Sequence, residues 1–182
     1  VVSHVLGGSK VFPMAQVLSG AVVKDVSVTG WGQATVSSGA SVSNVTLTNL
    51  NGTVPGFIAA SGATISGATV NSGTVLSANS GVTFSGLIAD SGMVSGGTLA
   101  SGAELQAVSG SASDIVIGSG ASAFVAEGDL NNTTVLAGAT LMGGVAGGYS
   151  GNTVVSSGGT VIMGEVRGPM VLSNGASVIL TG

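Results

Sequence analysis

The sequence predicts an all-β protein, a parallel β-helix (β-solenoid) of about nine coils with roughly 19 residues in each. The first observation behind this prediction is a gapless internal repeat. Ser61–Gly67 (SGATISG) returns nineteen positions later as Ser80–Gly86 (SGVTFSG). Each copy places Ser-Gly turn signals between short apolar and β-branched runs, a pattern typical of strands joined by turns. Units of this length that stack on their neighbours form a solenoid rather than a closed domain.

The second observation is a column of turn glycines, separated by steps of 19, 23, 19, 21, 18, 18, 20 and 17 residues. The residues three before and three after each glycine are apolar in all eighteen cases. These flanking columns predict interior ladders, in which Ile65, Phe84 and Leu105 stack about 4.8 Å apart. Each glycine is expected to have a positive φ at a tight turn. The column consists of Gly20, Gly39, Gly62, Gly81, Gly102, Gly120, Gly138, Gly158 and Gly175.

The third observation is the composition. Hydrophobic residues make up 44% of the chain, but only 3% are aromatic and 5% are charged, against roughly 25% charged in a typical domain. This predicts a narrow core of small aliphatic side chains and argues against disorder, which needs low hydrophobicity and high net charge. The chain has no cysteine and therefore no disulfide. With three Lys and Arg residues and a net charge of −4, it is a poor candidate for binding nucleic acid.

The repeat pattern predicts how the chain is organised. Residues 1–16 match the repeat poorly and are expected to form an irregular first coil or cap. Residues 17–182 are expected to form one continuous β-helix domain, with a protruding loop at Asn49–Gly56, where the glycine step lengthens to 23. The last residues stop in mid-repeat with an apolar pattern. Because solenoids need capped ends, we interpret the chain as a piece of a longer protein.

Side chains that could carry chemistry are few and scattered. His4 is the single histidine, no glycine-rich segment leads into Lys-Ser or Lys-Thr, and Asp90 and Glu104 are predicted on different faces of neighbouring coils. The acids are therefore interpreted as solvated turn residues, and we expect no enzyme activity, no cofactor and no metal site. The seven acids are Asp25, Asp90, Glu104, Asp114, Glu127, Asp129 and Glu165.

Three segments carry a resemblance to a known family: Ser156–Val161 (SSGGTV), Ser38–Val42 (SGASV) and Ser61–Val70 (SGATISGATV). They resemble the repeats of AIDA-type self-associating autotransporter adhesins of Gram-negative bacteria. The resemblance implies a right-handed β-helix in a secreted passenger domain, held at the cell surface by an outer-membrane barrel or released. It also implies host-cell adhesion, autoaggregation and biofilm formation, with O-glycosylation of repeat serines by a glycosyltransferase.

The serines that match the glycosylated positions of the family come directly before the turn glycines. Ala137 and Asn174 interrupt this column. The alternative, that each serine only suits a tight turn, stays open. The serines are Ser19, Ser38, Ser61, Ser80, Ser101, Ser119 and Ser157.

The expected function is that of a non-enzymatic surface adhesin segment, which uses polar ladders to bind another copy of itself on a neighbouring cell, or a host surface or glycan. Two other functions remain open: a carbohydrate-active β-helix related to lyases or tailspikes, and a passive stalk that presents a distal tip. The polar residues could also simply solvate the rod. Candidates for self-association are Asn44, Thr46, Thr48, Asn49, Asn71, Asn131, Asn132 and Asn152.

Overall fold

The regular secondary structure of the described residues consists entirely of β-strands. The computed structural model describes residues 4–6, 14–50, 52–143, 149–166 and 168–181, and for residues 4–6, 149 and 150 only the backbone. Every strand pairing in this part of the chain is parallel. The strands form one eight-stranded and one sixteen-stranded sheet, stacked as a β-solenoid of about eight turns. The predicted fold class is confirmed.

The solenoid has three faces, which the chain visits in a constant order, although the described residues between Met163 and Met170 contain no strand of the first face. The first face is the eight-stranded sheet: β2 (Met14–Val17), β5 (Gln33–Val36), β7 (Gly56–Ala59), β9 (Val75–Ala78), β11 (Met93–Ser95), β14 (Ser111–Ser113), β17 (Asp129–Asn131) and β20 (Tyr149–Gly151). The second face includes β3 (Val22–Lys24), β12 (Thr98–Leu99), β15 (Val116–Ile117), β18 (Thr134–Val135), β21 (Thr153–Val155) and β23 (Met170–Leu172).

The third face includes β1 (His4–Leu6), β4 (Val26–Thr29), β13 (Glu104–Ala107), β16 (Ser122–Val125), β19 (Thr140–Gly143), β22 (Thr160–Met163) and β24 (Ser177–Leu180). Three longer strands bend across both the second and the third face: β6 (Ser41–Thr48), β8 (Thr64–Val70) and β10 (Thr83–Asp90). We number the corners in chain order: the first corner joins the first and second faces, the second joins the second and third, and the third leads back to the first face.

The core lies inside the solenoid, because side chains along each strand alternate between the interior and solvent. In β16, for example, Ala123 and Val125 are fully buried while Ser122 and Phe124 are partly exposed. Residues in register on neighbouring turns build interior ladders of mostly aliphatic side chains, as the low aromatic content predicts. Among the largest fully buried side chains are Phe57 and Phe84.

The predicted ladder of Ile65, Phe84 and Leu105 is wrong at its third member. Phe84 does pair with Ile65, but on its other side it pairs with Leu99, and Leu105 pairs instead with Ile88. The reason is that the Ser-Gly turn changes its corner. It lies at the first corner in the turns up to Gly81, and at the second corner from Gly102 onward.

The change occurs at a single contact, which we call the seam: β10 stacked on the following stretch, residues 96–107. The start of β10 pairs with β12, and its end pairs with β13. Two glycines make the close approach possible. A Cβ on Gly96 would overlap the carbonyl oxygen of Ala78, and a Cβ on Gly97 would overlap the ring of Phe84.

Other predicted features are placed as follows. Residues 49–55 join β6 to β7 without a strand among the described residues and leave Leu50 and Val54 exposed. β1 pairs with β4 and β2 pairs with β5, so both strands belong to the sheets. The rest of the predicted irregular segment and the side chain of His4 lie outside the described residues.

No helix in the described part of the chain is long and apolar enough to cross a membrane.

Candidate functional site: the polar edges of the rod

The serine column predicted from the sequence lies on the surface, and all seven of its serines are exposed. Each occupies the second position of a four-residue turn. In the turn at Ser61, for example, the Ala63 N–H donates to the carbonyl oxygen of Ala60 over 3.0 Å. The third position is the column glycine, with a positive φ of +81° at Gly62. Positive φ at that position is what a type II turn requires, so the predicted role of the glycines is confirmed.

Except for Ser80 at the seam, each serine hydroxyl of the column covers the glycine of the next turn. The Ser61 Oγ lies 2.7 Å from the point where a Cβ on Gly81 would stand, and the Ser101 Oγ lies equally close to that point on Gly120. The turn backbones are hydrogen-bonded as well: the Gly62 N–H donates to the Gly81 carbonyl oxygen over 3.1 Å. Glycine in one turn therefore makes room for the hydroxyl of the turn before it, and the hydroxyls form a row along the edge.

The seam divides this row into two. A Cβ on Gly102 would have no neighbour within 4 Å, because the preceding Ser-Gly turn is at another corner. The first-corner serine row consists of Ser19, Ser38, Ser61 and Ser80. The second-corner serine row consists of Ser101, Ser119 and Ser157, with Ala137 interrupting it.

A second type of corner accompanies each serine row and is built from Asn, Asp and Gly with positive φ. In the first half it is the second corner, where the Asn44 Nδ2–H donates to Asp25 Oδ1 over 2.9 Å. In the second half it is the first corner, at Asp114, Asn132 and Asn152. These residue types adopt the left-handed conformation at the lowest cost after glycine.

The second-half ladder runs through three turns. The Asn132 Nδ2–H donates to Asp114 Oδ1 over 3.3 Å, and the Asn152 Nδ2–H donates to Asn132 Oδ1 over 3.1 Å. Sequence reasoning singled out Asn44, Asn132 and Asn152 as association candidates, but it did not find Asp25 and Asp114 as members of the same ladders. The number of residues that separates each aspartate from a turn glycine could have identified it as a member of the ladder.

The structure does not bring the eight association candidates onto one surface. Thr46 and Thr48 are half-buried on the third face, and Asn131 is half-buried on the first. Asn49 and Asn71 lie at the third corner, where the Asn71 Nδ2–H donates to the Leu47 carbonyl oxygen over 2.8 Å. The remaining three, Asn44, Asn132 and Asn152, are exposed members of the corner ladders.

An open groove of about 440 Å³ runs along the third corner. Its lining includes Ser72, Ser91 and Ser109 on successive turns, with Glu127 and Asp129 at one end. Within the described residues, no group of three or more His, Cys, Asp or Glu side chains is arranged to hold a metal ion.

Five of the seven acids are exposed, but Glu104 is not a solvated turn residue as predicted. It is half-buried in β13, where the Gln106 Nε2–H donates to its Oε1 over 2.7 Å. The prediction that Asp90 and Glu104 lie on different faces is also wrong, because both belong to the third face, in the paired strands β10 and β13. The exposed acids are Asp25, Asp114, Glu127, Asp129 and Glu165.

Asp90 is fully buried, so its assignment as a solvated turn residue is wrong as well. Its side chain is 0% exposed because β10 continues to this position and turns it inward, in register with Val70 and Ala107. The Gly92 N–H donates to Asp90 Oδ1 over 2.9 Å, whereas Oδ2 has no hydrogen-bond partner. Burial raises the pKa of this carboxyl from 3.8 to about 7, against the opposing effect of the Gly92 hydrogen bond.

Comparison with known proteins finds similarity at the level of solved structures. No family model matches the chain, and no curated protein does. One similar structure is a crystal structure of a hyper-glycosylated fragment of TibA, whose glycosylation was catalysed by TibC. It is 23% identical, with a TM-score of 0.48, and the match covers 93% of this chain and 78% of that chain. A likeness of this degree leaves the function to be argued from the chain's own residues.

Proposed function

We propose that this chain is a non-enzymatic segment of a bacterial cell-surface adhesin, which makes contact through rows of hydroxyls and amides along the edges of a rod. The observation that carries the proposal is the exposure of all seven column serines, arranged in two rows. Residues on successive turns repeat at about 4.8 Å. The rod therefore presents many identical polar groups at a constant spacing.

Rows of this kind suit adhesion by many weak contacts. A single hydrogen bond contributes only about 1 kcal/mol in water, but contacts made by linked groups reinforce one another and raise the avidity. The net charge of −4, spread over 182 residues, leaves little repulsion between two rods. A second copy of the chain on a neighbouring cell is therefore the partner that we propose first, and a host surface or glycan is the second.

The eight association candidates are expected to contribute unequally to association. Asn44, Asn132 and Asn152 lie on exposed corner ladders beside or beyond the serine rows, so they extend the polar edges. Thr46, Thr48, Asn49, Asn71 and Asn131 are half-buried and offer less surface to a partner. We expect substitutions in the first group to weaken association more than substitutions in the second.

The same serines are our proposed acceptors for O-glycosylation. Each hydroxyl lies on an exposed tight turn, and the repeated Ser-Gly turn would let one glycosyltransferase modify both serine rows. Intact-mass measurement of the chain from its natural source, followed by peptide mapping, tests this part of the proposal. Hexose- or heptose-sized additions at Ser19, Ser38 or Ser61 are expected, and an unmodified mass would contradict it.

Sedimentation equilibrium over a wide concentration range tests association directly. We expect reversible oligomers that persist at high salt, because the contacts are between neutral polar groups. Replacing Ser38, Ser61 and Ser80 together by Ala is expected to weaken association about tenfold, at roughly 0.5 kcal/mol per hydrogen bond.

A matched control replaces three half-buried serines on the faces, Ser27, Ser95 and Ser113, by Ala, and is expected to associate like the wild type. A strict monomer at high concentration would contradict self-association by this segment and would favour the passive stalk. Equal weakening in both triple variants would show that the edges are not the contact surface.

A further inference from the structure

Asp90 stands at the one place where the two halves of the rod meet. It is the last residue of β10, the strand that carries the seam. Its side chain belongs to an interior ladder that is otherwise aliphatic, formed by Leu47, Val70, Asp90, Ala107 and Val125 on successive turns. A change in its charge state therefore acts directly on the packing between the halves.

The space around the carboxyl is tight and nearly devoid of hydrogen-bond donors. A Cβ on Gly110 would come within 2.7 Å of its carboxyl atoms, so the carboxyl packs directly over that glycine. Oδ1 accepts the Gly92 N–H, and Oδ2 has no partner. One hydrogen bond is well below the capacity of an ionised carboxylate, which has about four acceptor sites.

No positive charge faces Asp90 from the elements packed around it. β8, β11 and β12 contain no ionisable residue, and neither do the adjoining turns at residues 71–74 and 108–110. β13 contributes Glu104, which is opposite Leu87 and so about 10 Å along the strands from Asp90. That acid accepts a hydrogen bond from Gln106 and can only add negative charge.

We propose that Asp90 is a pH-sensitive lock in the middle of the rod, which holds the seam closed while its carboxyl is neutral and loosens the seam when the carboxyl ionises. The physical cause is that a buried charge without a partner carries a large free-energy penalty, which a neutral carboxylic acid avoids. This proposal does not depend on the adhesin function, because it concerns only the folding stability of this chain.

The direction of the pH dependence follows from the raised pKa. The folded-state pKa is about 7, whereas the unfolded value is 3.8. Between these values the folded chain binds a proton that the unfolded chain has lost, so this group lowers the stability as the pH rises. Its stabilising contribution is complete below about pH 4, declines through the window from pH 4 to 7, and is gone above it.

The test compares the pH dependence of unfolding in the full chain and in two variants. Asp90→Asn keeps the shape and the acceptor for the Gly92 N–H but cannot ionise. The control, Asp129→Asn, changes an exposed carboxyl of β17. Between pH 4 and pH 8, the folding equilibrium constant of the wild type and of the control is expected to fall, relative to that of Asp90→Asn, by on the order of a hundredfold to a thousandfold. Parallel curves for all three would overturn the proposal.

A second measurement requires no variant to fold. Carboxyl-carbon NMR of the wild-type chain should show one aspartate that titrates near pH 7, and hydrogen exchange, corrected for intrinsic rates, should lose protection in β10 and β13 before β16 and β19 as the pH rises from 6 to 8. An Asp90 carboxyl that titrates near pH 4, or a uniform loss of protection, would contradict the lock.

Discussion

The two halves of the rod use the same two corner types in exchanged positions. Up to β10, the Ser-Gly turn is at the first corner and the left-handed Asn, Asp or Gly corner is at the second. After β11 the order is reversed. Both arrangements bury an aliphatic interior, and both stack with hydrogen bonds between successive turns. The comparison teaches that the apolar pattern determines the solenoid, whereas the corner residues determine which chemistry each edge displays.

The third corner varies in length along the rod. In the first half it contains the three-residue turn 30–32, the long segment 49–55 and the four-residue turn 71–74, in which the buried Thr74 Oγ1–H donates to the Asn71 carbonyl oxygen over 2.7 Å. In the second half its described turns include residues 91–92, 108–110 and 126–128. The first of these short turns follows Asp90 directly, so the buried carboxyl, the shortest described third-corner turn and the seam coincide.

The largest effect that we predict comes from filling the space that Gly97 leaves for Phe84. Gly97→Ala adds a Cβ that overlaps the Phe84 ring, at a residue whose φ is +90°. Left-handed strain and overpacking together are expected to lower the unfolding free energy by about 3 kcal/mol. Chemical denaturation measures this loss.

The matched control is Gly102→Ala, where φ is +77° but a Cβ would have no neighbour within 4 Å. Only the backbone strain applies there, so we expect a loss of about 1 kcal/mol. Equal losses at the two positions would mean that the seam is not packed as described.

Much of the fold could be predicted from the sequence. The gapless repeat and the two apolar columns gave the parallel solenoid, and the glycine column gave the tight turns with positive φ. The seam was not predicted because residues three before and three after each glycine are apolar in both halves. Those columns cannot distinguish a turn at the first corner from one at the second.

A signal for the exchange was nevertheless present. The positions five after the glycines hold Asp25, Asn44, Gly67 and Gly86 in the first half. In the second half, residues of this type appear instead six before the glycine, at Gly96, Asp114, Asn132 and Asn152. The buried state of Asp90 had no such signal, because Asp-Ser-Gly reads as an ordinary turn and only the length of β10 turns the aspartate inward.

The corner ladders allow the comparison to be sharpened. Asn132→Gly keeps the left-handed backbone but removes hydrogen bonds to both Asp114 and Asn152, and is expected to lower the unfolding free energy by about 1 kcal/mol from the side-chain bonds. Asn44→Gly removes only the bond to Asp25, and we expect about half that loss. Thermal unfolding of the two variants side by side measures the difference, and a larger loss at Asn44 would show that the three-turn ladder adds nothing.

The smallest expected effect on stability is at Ala137, the gap in the second-corner serine row. The Ala137 Cβ lies 3.5 Å from the point where a Cβ on Gly158 would stand, so a serine hydroxyl there would cover Gly158 as in the other turns. Ala137→Ser should change the unfolding free energy by less than about 0.5 kcal/mol. Under the proposed function it should strengthen association in sedimentation, and an unchanged or weaker association would count against that edge.

The most direct test of the exchanged corners uses the absence of cysteine from the chain. Residues stacked on adjacent turns have Cα atoms about 4.8 Å apart, within disulfide range. Paired cysteines at Ser61 and Ser80, and separately at Ser101 and Ser119, are therefore expected to cross-link within one chain under mild oxidation. Cysteines at Ser80 and Ser101 should remain reduced, because these serines lie at different corners. Equally efficient cross-linking of that third pair would contradict the account.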